Sequence, residues 1–207
     1  MFRPRSDTWL LAAVVRARPE LPGGAVLDVC TGSGAVAIAA ALGGARSVTA
    51  VDVSRRAVLT ARINARLNGV RVEAIRGDLL GATPGRRFDV ITSNPPYLPG
   101  DEPPARGTGR HTEAGATGRL LLDRLIDAAP AHLAPGGVLL VTHSSLNGEE
   151  ATLERMRRAG LEPTVAERRT GALGPLLAAR APALEAEGLL APGDRTEDLL
   201  VIAGASA

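Results

Sequence analysis

The chain has 207 residues with 45% hydrophobic content, which suits a single domain with a proper apolar core. Its 24 basic residues, all arginine, nearly balance 22 acidic residues and leave a formal charge of +2. The arginines are scattered and the aromatic residues are only two Phe, one Tyr and one Trp, which argues against nucleic acid as the main partner.

In chain order, the first predicted element is a helix over residues 7–18, with Ser6 or Asp7 as its cap and Pro19 after its end. Short apolar strands then alternate with amphipathic helices, which is the pattern of a parallel sheet covered by helices. Strands are predicted at residues 25–30, 47–52, 70–75, 88–93, 138–143, 161–168 and 198–203. Helices are predicted through Leu42, from Ser54 to Asn68, over 118–133, over 149–159 and within 171–190.

These elements predict an α/β, Rossmann-like fold with a seven-stranded, mostly parallel sheet and helices on both faces, in one domain over residues 1–207. Residues 98–117 are rich in Pro and Gly and have no periodicity, so we expect a substrate-side loop over the strand ends. Residues 171–190 are expected to form a helical insertion between the last two strands.

The lone cysteine, Cys30, makes no internal disulfide, and metal clusters need more ligands, so no metal site is predicted. The longest early apolar run, residues 9–15, is too short to span a bilayer and lacks the layout of a signal peptide. We therefore expect a cytoplasmic protein without a membrane partner.

Residues 26–34, Val-Leu-Asp-Val-Cys-Thr-Gly-Ser-Gly, join the first strand of the sheet to a helix. Gly32 and Gly34 let the backbone turn tightly and approach a ligand closely. The spacing of a dinucleotide site is also present, but Asp28 at the strand end would repel a pyrophosphate. A carboxylate there suits the cationic amino end of S-adenosylmethionine (SAM), held directly or through water.

Two more acidic residues follow the next two strands. Asp52, with Val53 after it, lies about 20 residues beyond the glycine loop, where an acid can bind ribose hydroxyls. Asp78 can accept a hydrogen bond from an adenine amino group, and Leu79 can cover the ring. Any one of these acids could be a simple cap or turn residue. Three at successive strand ends favour SAM as the cofactor.

The most specific motif is Asn94-Pro95-Pro96-Tyr97, directly after the predicted strand 88–93. The Asn94 side-chain oxygen and the Pro95 carbonyl can accept hydrogen bonds from an NH2 group and orient its lone pair. Pro95 and Pro96 stiffen the loop, and Tyr97 offers a flat face to a conjugated group. An ordinary Asn-Pro turn is the alternative, but the position after a strand and downstream of the glycine loop favours catalysis.

The stretches VLDVCTGSG, AVDVS, GDLL and FDVITSNPPY resemble class I methyltransferases of the HemK/PrmC family, over nearly the whole chain. The opening DTWLL is similar to the short branch of that family, which lacks an N-terminal helical domain and methylates a release-factor glutamine. The resemblance implies that the helix within 1–24 closes the SAM pocket through Thr8. It implies cofactor contacts from a set comprising Thr8, Asp28, Cys30, Gly32, Gly34, Asp52, Val53, Asp78, Leu79 and Asn94.

Cys30 is a departure, because the family usually has glycine there, and the post-motif loop lacks a Trp that relatives carry. The resemblance implies that eukaryotic relatives work with a zinc-binding activator subunit. Two roles stay open for residues 171–190, replacing that subunit or contacting the substrate. His143, after the fifth strand, is more readily a structural histidine than a catalytic one.

The leading hypothesis is N-methylation of a glutamine side chain in a protein such as a release factor. The alternative is N-methylation of an amide, amino or guanidino group of a small molecule, or of a nucleobase amino group. A SAM-binding scaffold without activity and a nicotinamide dehydrogenase are further rivals, disfavoured by the intact Asn94 and Tyr97 and by Asp28. The oligomeric state is left open by the sequence.

Overall fold

A computed structural model describes residues 4–99 and 115–206, so most of the predicted substrate-side loop 98–117 lies outside the described residues. Seven strands form one sheet in the order β3-β2-β1-β4-β5-β7-β6. Neighbours among β1 to β5 are parallel, and β7 runs antiparallel to both β5 and β6. The strands are β1 Ala25–Val29, β2 Ser47–Asp52, β3 Glu73–Arg76, β4 Phe88–Ser93, β5 Leu133–Ser144, β6 Leu161–Ala172 and β7 Thr196–Ser206.

The helices cover both faces of the sheet, as the sequence predicted. The elements are α1 Ser6–Arg16, α2 Ala35–Leu42, α3 Arg55–Leu67, α4 Leu120–Ala128, α5 Glu149–Arg158 and α6 Pro175–Ala186. One apolar cluster joins the sheet to α1, α2 and α3, and a second joins it to α4 and α5. Buried residues alternate between the two clusters along the central strands, since Val138 and Leu140 face the first cluster and Leu139 and Val141 the second.

One local signal places an element end correctly and two others do not. The cap predicted at Ser6 or Asp7 is wrong, because α1 begins at Ser6 with Arg5 as its N-cap and no side-chain cap hydrogen bond. Ser54 caps α3, because its hydroxyl oxygen accepts a hydrogen bond from the Ala57 N–H at 3.4 Å. The helix predicted over 118–133 is shorter, because Pro130 lies in a 3₁₀ turn, Ala129–Ala131, that follows α4.

Other element bounds differ from the prediction because pairing partners set them. The third strand was placed at 70–75 and lies at Glu73–Arg76, where it pairs only with β2 at the sheet edge. The strand predicted at 138–143 begins earlier, at Leu133, and its pairing with β4 shifts register between Phe88 and Val90, where Gly136 has φ +71°. β6 continues to Ala172 because β7 pairs with it throughout, so only part of 171–190 is helical.

None of the described helices combines the length and the apolar character that a bilayer crossing requires.

Candidate functional site

The predicted site residues meet at one edge of the sheet. β3, β2, β1 and β4 lie side by side and parallel, so their carboxyl ends point the same way. Asp78, Asp52, Asp28 and Asn94 therefore follow one another along this edge, at or near the ends of these four strands. The strand order reverses between β1 and β4, and such switch points are where open α/β sheets bind ligands.

The glycine loop between β1 and α2 turns through left-handed backbone conformations at Cys30 (φ 60°), Gly32 (φ 53°) and Gly34 (φ 84°). A Cβ at Gly34 would lie 3.0 Å from both Cα and Cβ of Ala61, so glycine lets α2 begin close against α3. The Asn64 side chain of α3 donates a hydrogen bond to the Ser33 carbonyl at 2.8 Å, which fastens the loop to that helix.

Cys30 occupies a left-handed backbone conformation, which glycine adopts more readily than cysteine does. Burial, followed by the nearby Asp52 carboxylate, raises the pKa of the Cys30 thiol to about 12. The thiol is therefore protonated at neutral pH and is not activated as a nucleophile. Cys30 and Leu79 (φ 45°) are the non-glycine residues with left-handed φ in the described part of the chain, and both belong to the predicted cofactor set.

Asp28 is buried, with 2% of its surface exposed, and its carboxylate accepts three hydrogen bonds. Two come from the loop and α2, namely the Thr31 hydroxyl at 2.5 Å and the Ala37 N–H at 3.2 Å. The third comes from the Thr92 hydroxyl of β4 at 2.9 Å. Burial raises the pKa of Asp28 to about 6. The carboxylate thus ties the glycine loop to β4, while its contact with the cofactor stays a prediction.

Asp52 links the end of β2 to the same loop. Its two carboxylate oxygens accept hydrogen bonds from the Gly32 N–H at 3.0 Å and from the Ser54 N–H at 2.8 Å. Each oxygen keeps a second lone pair, which can accept a hydrogen bond from a ribose hydroxyl. Val53 beside it is 49% exposed, and the Arg76 side chain donates a hydrogen bond to its carbonyl.

Asp78 and Leu79 occupy the third strand end in different environments. The Asp78 side chain is 58% exposed and forms an ion pair with Arg124 of α4, with 2.7 Å between Nη2 and Oδ2. Leu79 is buried and packs on the cluster shared with α4 and α5. Sequence reasoning missed Arg124, because a pairing across 46 residues leaves no local signal. If Asp78 binds the adenine amino group as predicted, its carboxylate contacts both that group and Arg124.

Asn94 follows β4 and is held by the N-terminal helix. Its amide nitrogen donates a hydrogen bond to the Thr8 hydroxyl at 3.3 Å, and that hydroxyl donates to the Asp7 carboxylate at 3.2 Å. The Asn94 Oδ1 atom is buried and has no hydrogen-bond partner among the described residues. An unpaired buried acceptor costs free energy unless a ligand supplies the donor.

Tyr97 is fixed by the same helix. Its hydroxyl donates a hydrogen bond to the other Asp7 carboxylate oxygen at 3.0 Å. Burial, and then the Asp7 charge, raise the pKa of the Tyr97 phenol well above its usual value of 10. The ring is therefore neutral. Asp7 and Thr8 together connect α1 to both ends of the Asn94–Tyr97 motif, with the buried Pro95 between them.

The segment after the motif is covered by the C-terminal part of the chain. Leu98 packs with Leu146 against the buried side of α6, in a small cluster centred on Leu177 and Leu184. The Arg180 guanidinium of α6 donates a hydrogen bond to the Pro99 carbonyl. The helix of the 171–190 segment thus lies beside Leu98 and Pro99, where the predicted substrate-side loop begins.

Asn147, which sequence reasoning missed, contacts both flanks of that loop. Its amide nitrogen donates hydrogen bonds to the Tyr97 carbonyl at 2.6 Å and to the Thr117 carbonyl at 3.0 Å. A Ser-x-x-Asn spacing, Ser144 to Asn147, was the available signal, since it forms a capping box at a 3₁₀ turn. That signal predicts a cap and not the long-range contacts.

His143 on β5 is fully buried, and its Nδ1 lies 2.8 Å from the Ser144 carbonyl oxygen. Burial lowers the pKa of His143 to about 4, so the ring is neutral. Its Nε2 atom has no partner in the described part of the chain. Within that part, no group of His, Cys, Asp or Glu side chains is arranged to hold a metal ion.

The described residues fit SAM on two observations. The glycine loop turns between β1 and α2 at the switch point of the strand order, where open α/β sheets bind ligands. Beside it, each carboxylate oxygen of Asp52 keeps a lone pair that suits a ribose hydroxyl of SAM. Asp28, Asp52 and Asn94 are brought together by neighbouring strands, whereas Asp78 is turned to an arginine of α4.

Comparison with known proteins finds similarity to methyltransferases, both in a family model and in individual relatives. The model of the methyltransferase small domain family matches residues 6–162. A Methanocaldococcus jannaschii protein named for protein N5-glutamine methyltransferase activity is 34% identical over 81% of this chain and 84% of its own length. The release factor glutamine methyltransferase of Bordetella pertussis is 39% identical over 76% of this chain, but the match spans only 62% of that longer protein.

Among solved structures, the chain is similar to one from E. cuniculi described as the Mtq2–Trm112 complex that methylates the eRF1 translation termination factor. The TM-score is 0.69 at 23% identity, with 100% of this chain and 98% of the other chain covered. At that identity the likeness establishes a shared fold.

Proposed function

Since the chain belongs to the methyltransferase small domain family, in its HemK/PrmC-like group, we propose that it methylates the side-chain amide nitrogen of a glutamine in a protein, with a peptide chain release factor as target. The cofactor is SAM, whose sulfonium supplies an activated methyl group. Relatives named for glutamine methylation support the proposal, and the match to one of them covers 84% of that protein.

The observation that carries the proposal is the unpaired Oδ1 of Asn94. An amide NH2 has two N–H donors, and Asn94 Oδ1 with the Pro95 carbonyl offers two acceptors on a stiff loop. Holding both N–H groups turns the nitrogen face toward the methyl donor before reaction, so that orientation is established on binding. The Thr8 hydroxyl fixes the Asn94 amide with its oxygen free.

The proposed methyl transfer does not require a strong general base. As the new N–C bond forms, the S–C bond of the donor breaks, and the amide nitrogen then loses one proton to water. Positive charge that develops on the nitrogen is stabilised by the two acceptor oxygens. The neutral Tyr97 ring supplies a flat surface for the planar amide.

The N-terminal helix is proposed to close the cofactor pocket, because its Asp7 and Thr8 hold Tyr97 and Asn94. The 171–190 segment is proposed to serve the substrate side, since α6 packs on Leu98 and binds the Pro99 carbonyl. The cytoplasmic location and any activator subunit stay predictions from the sequence.

The test is a transfer assay in which the protein and methyl-labelled SAM are incubated with possible methyl acceptors. The acceptors are the purified release factor from the same organism and the protein, nucleic-acid and small-molecule fractions of a cell extract. We expect label on the release factor, located by mass spectrometry on a glutamine side chain. Label confined to the small-molecule or nucleic-acid fraction would refute the glutamine target and leave the SAM site standing.

Matched variants separate catalysis from binding. Asn94→Ala should lower turnover by on the order of 100-fold, as when one acceptor for the transition state is removed, with SAM affinity little changed. Asn68→Ala at the exposed end of α3 is the control and should retain turnover. Asp52→Ala should instead weaken SAM binding by about 1 to 3 kcal/mol, measured by calorimetry. Full turnover of Asn94→Ala would contradict the catalytic assignment.

A further inference from the structure

Asn147 ends the 3₁₀ turn Ser145–Asn147 that follows β5, and it is 3% exposed. Its side-chain amide makes three hydrogen bonds, and all three are to backbone groups. Oδ1 accepts from the Ser144 N–H at 3.1 Å, while the two donor positions of Nδ2 serve the Tyr97 carbonyl at 2.6 Å and the Thr117 carbonyl at 3.0 Å.

The two carbonyls lie on either side of the predicted substrate-side loop, 98–117. One side chain therefore joins the last residue of the Asn94–Tyr97 motif to the last residue of that loop. Gly118, with φ +70°, makes this possible, because a Cβ there would overlap both the Tyr97 carbonyl oxygen and the Asn147 amide nitrogen.

Asn147 is itself anchored to the two helices behind it. The Arg119 guanidinium donates hydrogen bonds to the Asn147 carbonyl at 2.7 Å and to the Thr152 hydroxyl of α5 at 2.9 Å. The same guanidinium forms an ion pair with Asp123 of α4 at 2.7 Å. The amide that holds the loop flanks is thus fixed from the body of the fold.

We propose that Asn147 is a positioning residue for methyl transfer, which acts by holding the Tyr97 end of the motif and the Thr117 end of the substrate-side loop at a fixed separation. This rests on the proposed function, because it assigns Asn147 to the methyl-acceptor side of that same site. Capping the turn requires only the Oδ1 acceptor, so the two donated bonds to the loop flanks need a separate explanation.

Asn147→Asp separates these two roles. A carboxylate keeps an acceptor for the Ser144 N–H but loses both donors and sets negative charge against two carbonyl oxygens. Ser144→Ala is the matched control, because it removes the other half of the capping box, the hydroxyl that accepts from the Leu146 N–H, and leaves both loop contacts in place. Thermal unfolding midpoints are measured first, and both variants are expected to show a cooperative transition.

For Asn147→Asp at neutral pH we expect kcat to fall by roughly 10- to 100-fold, the scale of a misplaced reacting group, with the Kd for SAM unchanged. Amide hydrogen exchange should quicken at Asn94, Tyr97 and Leu98, the non-proline residues of 94–99, and in residues 115–120, and not in β1 or α2. Ser144→Ala should show neither change.

The pH profile gives a readout that a cap alone would not produce. Desolvation and the two facing carbonyls favour the protonated form of the introduced carboxyl, against the opposing charge of the Arg119 guanidinium, which is itself paired with Asp123. The protonated form regains one O–H donor. The ratio of variant to wild-type turnover should therefore rise as pH falls. A pure capping role predicts the reverse, because the charged form is the better acceptor for the Ser144 N–H.

Unchanged exchange at the loop flanks in Asn147→Asp would overturn the proposal whatever the activity. Faster exchange with full kcat would also overturn it, because the contacts would then not position the acceptor. A wild-type protein that methylates no glutamine would refute the proposed function, and the exchange result would still decide whether Asn147 holds the two flanks.

Discussion

The buried carboxylate of Asp28 has a measurable consequence for stability. Burial raises its pKa from 3.8 to about 6, although three hydrogen bonds favour the charged form. Between these two values the native state binds a proton that the unfolded chain has released. The contribution of Asp28 to the free energy of unfolding therefore decreases as pH rises from 3.8 to about 6 and is level above that range.

The magnitude follows from the size of the shift. About two pKa units at about 1.4 kcal/mol each correspond to about 3 kcal/mol. Asp28→Asn removes the titrating group and keeps the shape of the side chain. We expect the unfolding free energy of the wild-type protein, relative to Asp28→Asn, to be about 3 kcal/mol lower above pH 6 than below pH 4.

Urea unfolding of both proteins across this range is the assay, and taking the difference cancels the titration of every other group. A difference that does not change with pH would show that the Asp28 carboxylate is solvated in the native protein. A difference that grows in the opposite direction would show an unrecognised positive partner. Either result would refute the argument that this acid is a buried tie between the glycine loop and β4.

Two further predictions concern neighbouring elements. Cys30→Gly should retain SAM binding and change the free energy of unfolding by no more than about 1 kcal/mol, because the relief of left-handed strain offsets the flexibility of glycine. Cys30→Val should be less stable in urea unfolding than both the wild-type protein and Cys30→Gly. Equal stability of the Gly and Val variants would contradict the backbone geometry. Burial lowers the pKa of His143 from 6.5 in the unfolded chain to about 4 in the native protein. The neutral ring therefore contributes about 3 kcal/mol to the free energy of unfolding above pH 6.5, and this contribution is lost as pH falls to 4. His143→Leu should lack this loss, and parallel acid destabilisation of both proteins would disprove it.

Much of the fold could be predicted because its signals are local. The strands Ser47–Asp52 and Phe88–Ser93 lie where their apolar runs placed them, and Ser54 caps α3 as its position indicated. The bounds of β5 and β6 could not be predicted, because partners far along the chain set them: Leu133 pairs with Phe88, and Ala172 with Thr196.

The candidate site divides in the same way. Sequence alone predicted which residues carry the chemistry, since the glycine loop, the acids at strand ends and the Asn94–Tyr97 motif are contiguous patterns with a known chemical meaning. Tertiary structure decided what surrounds them: Asp28 buried against Thr92, Asp78 paired with Arg124, and Asn147 bound to both flanks of the substrate-side loop. These contacts join residues 30 to 64 positions apart, and only packing of the chain brings such groups within hydrogen-bond distance.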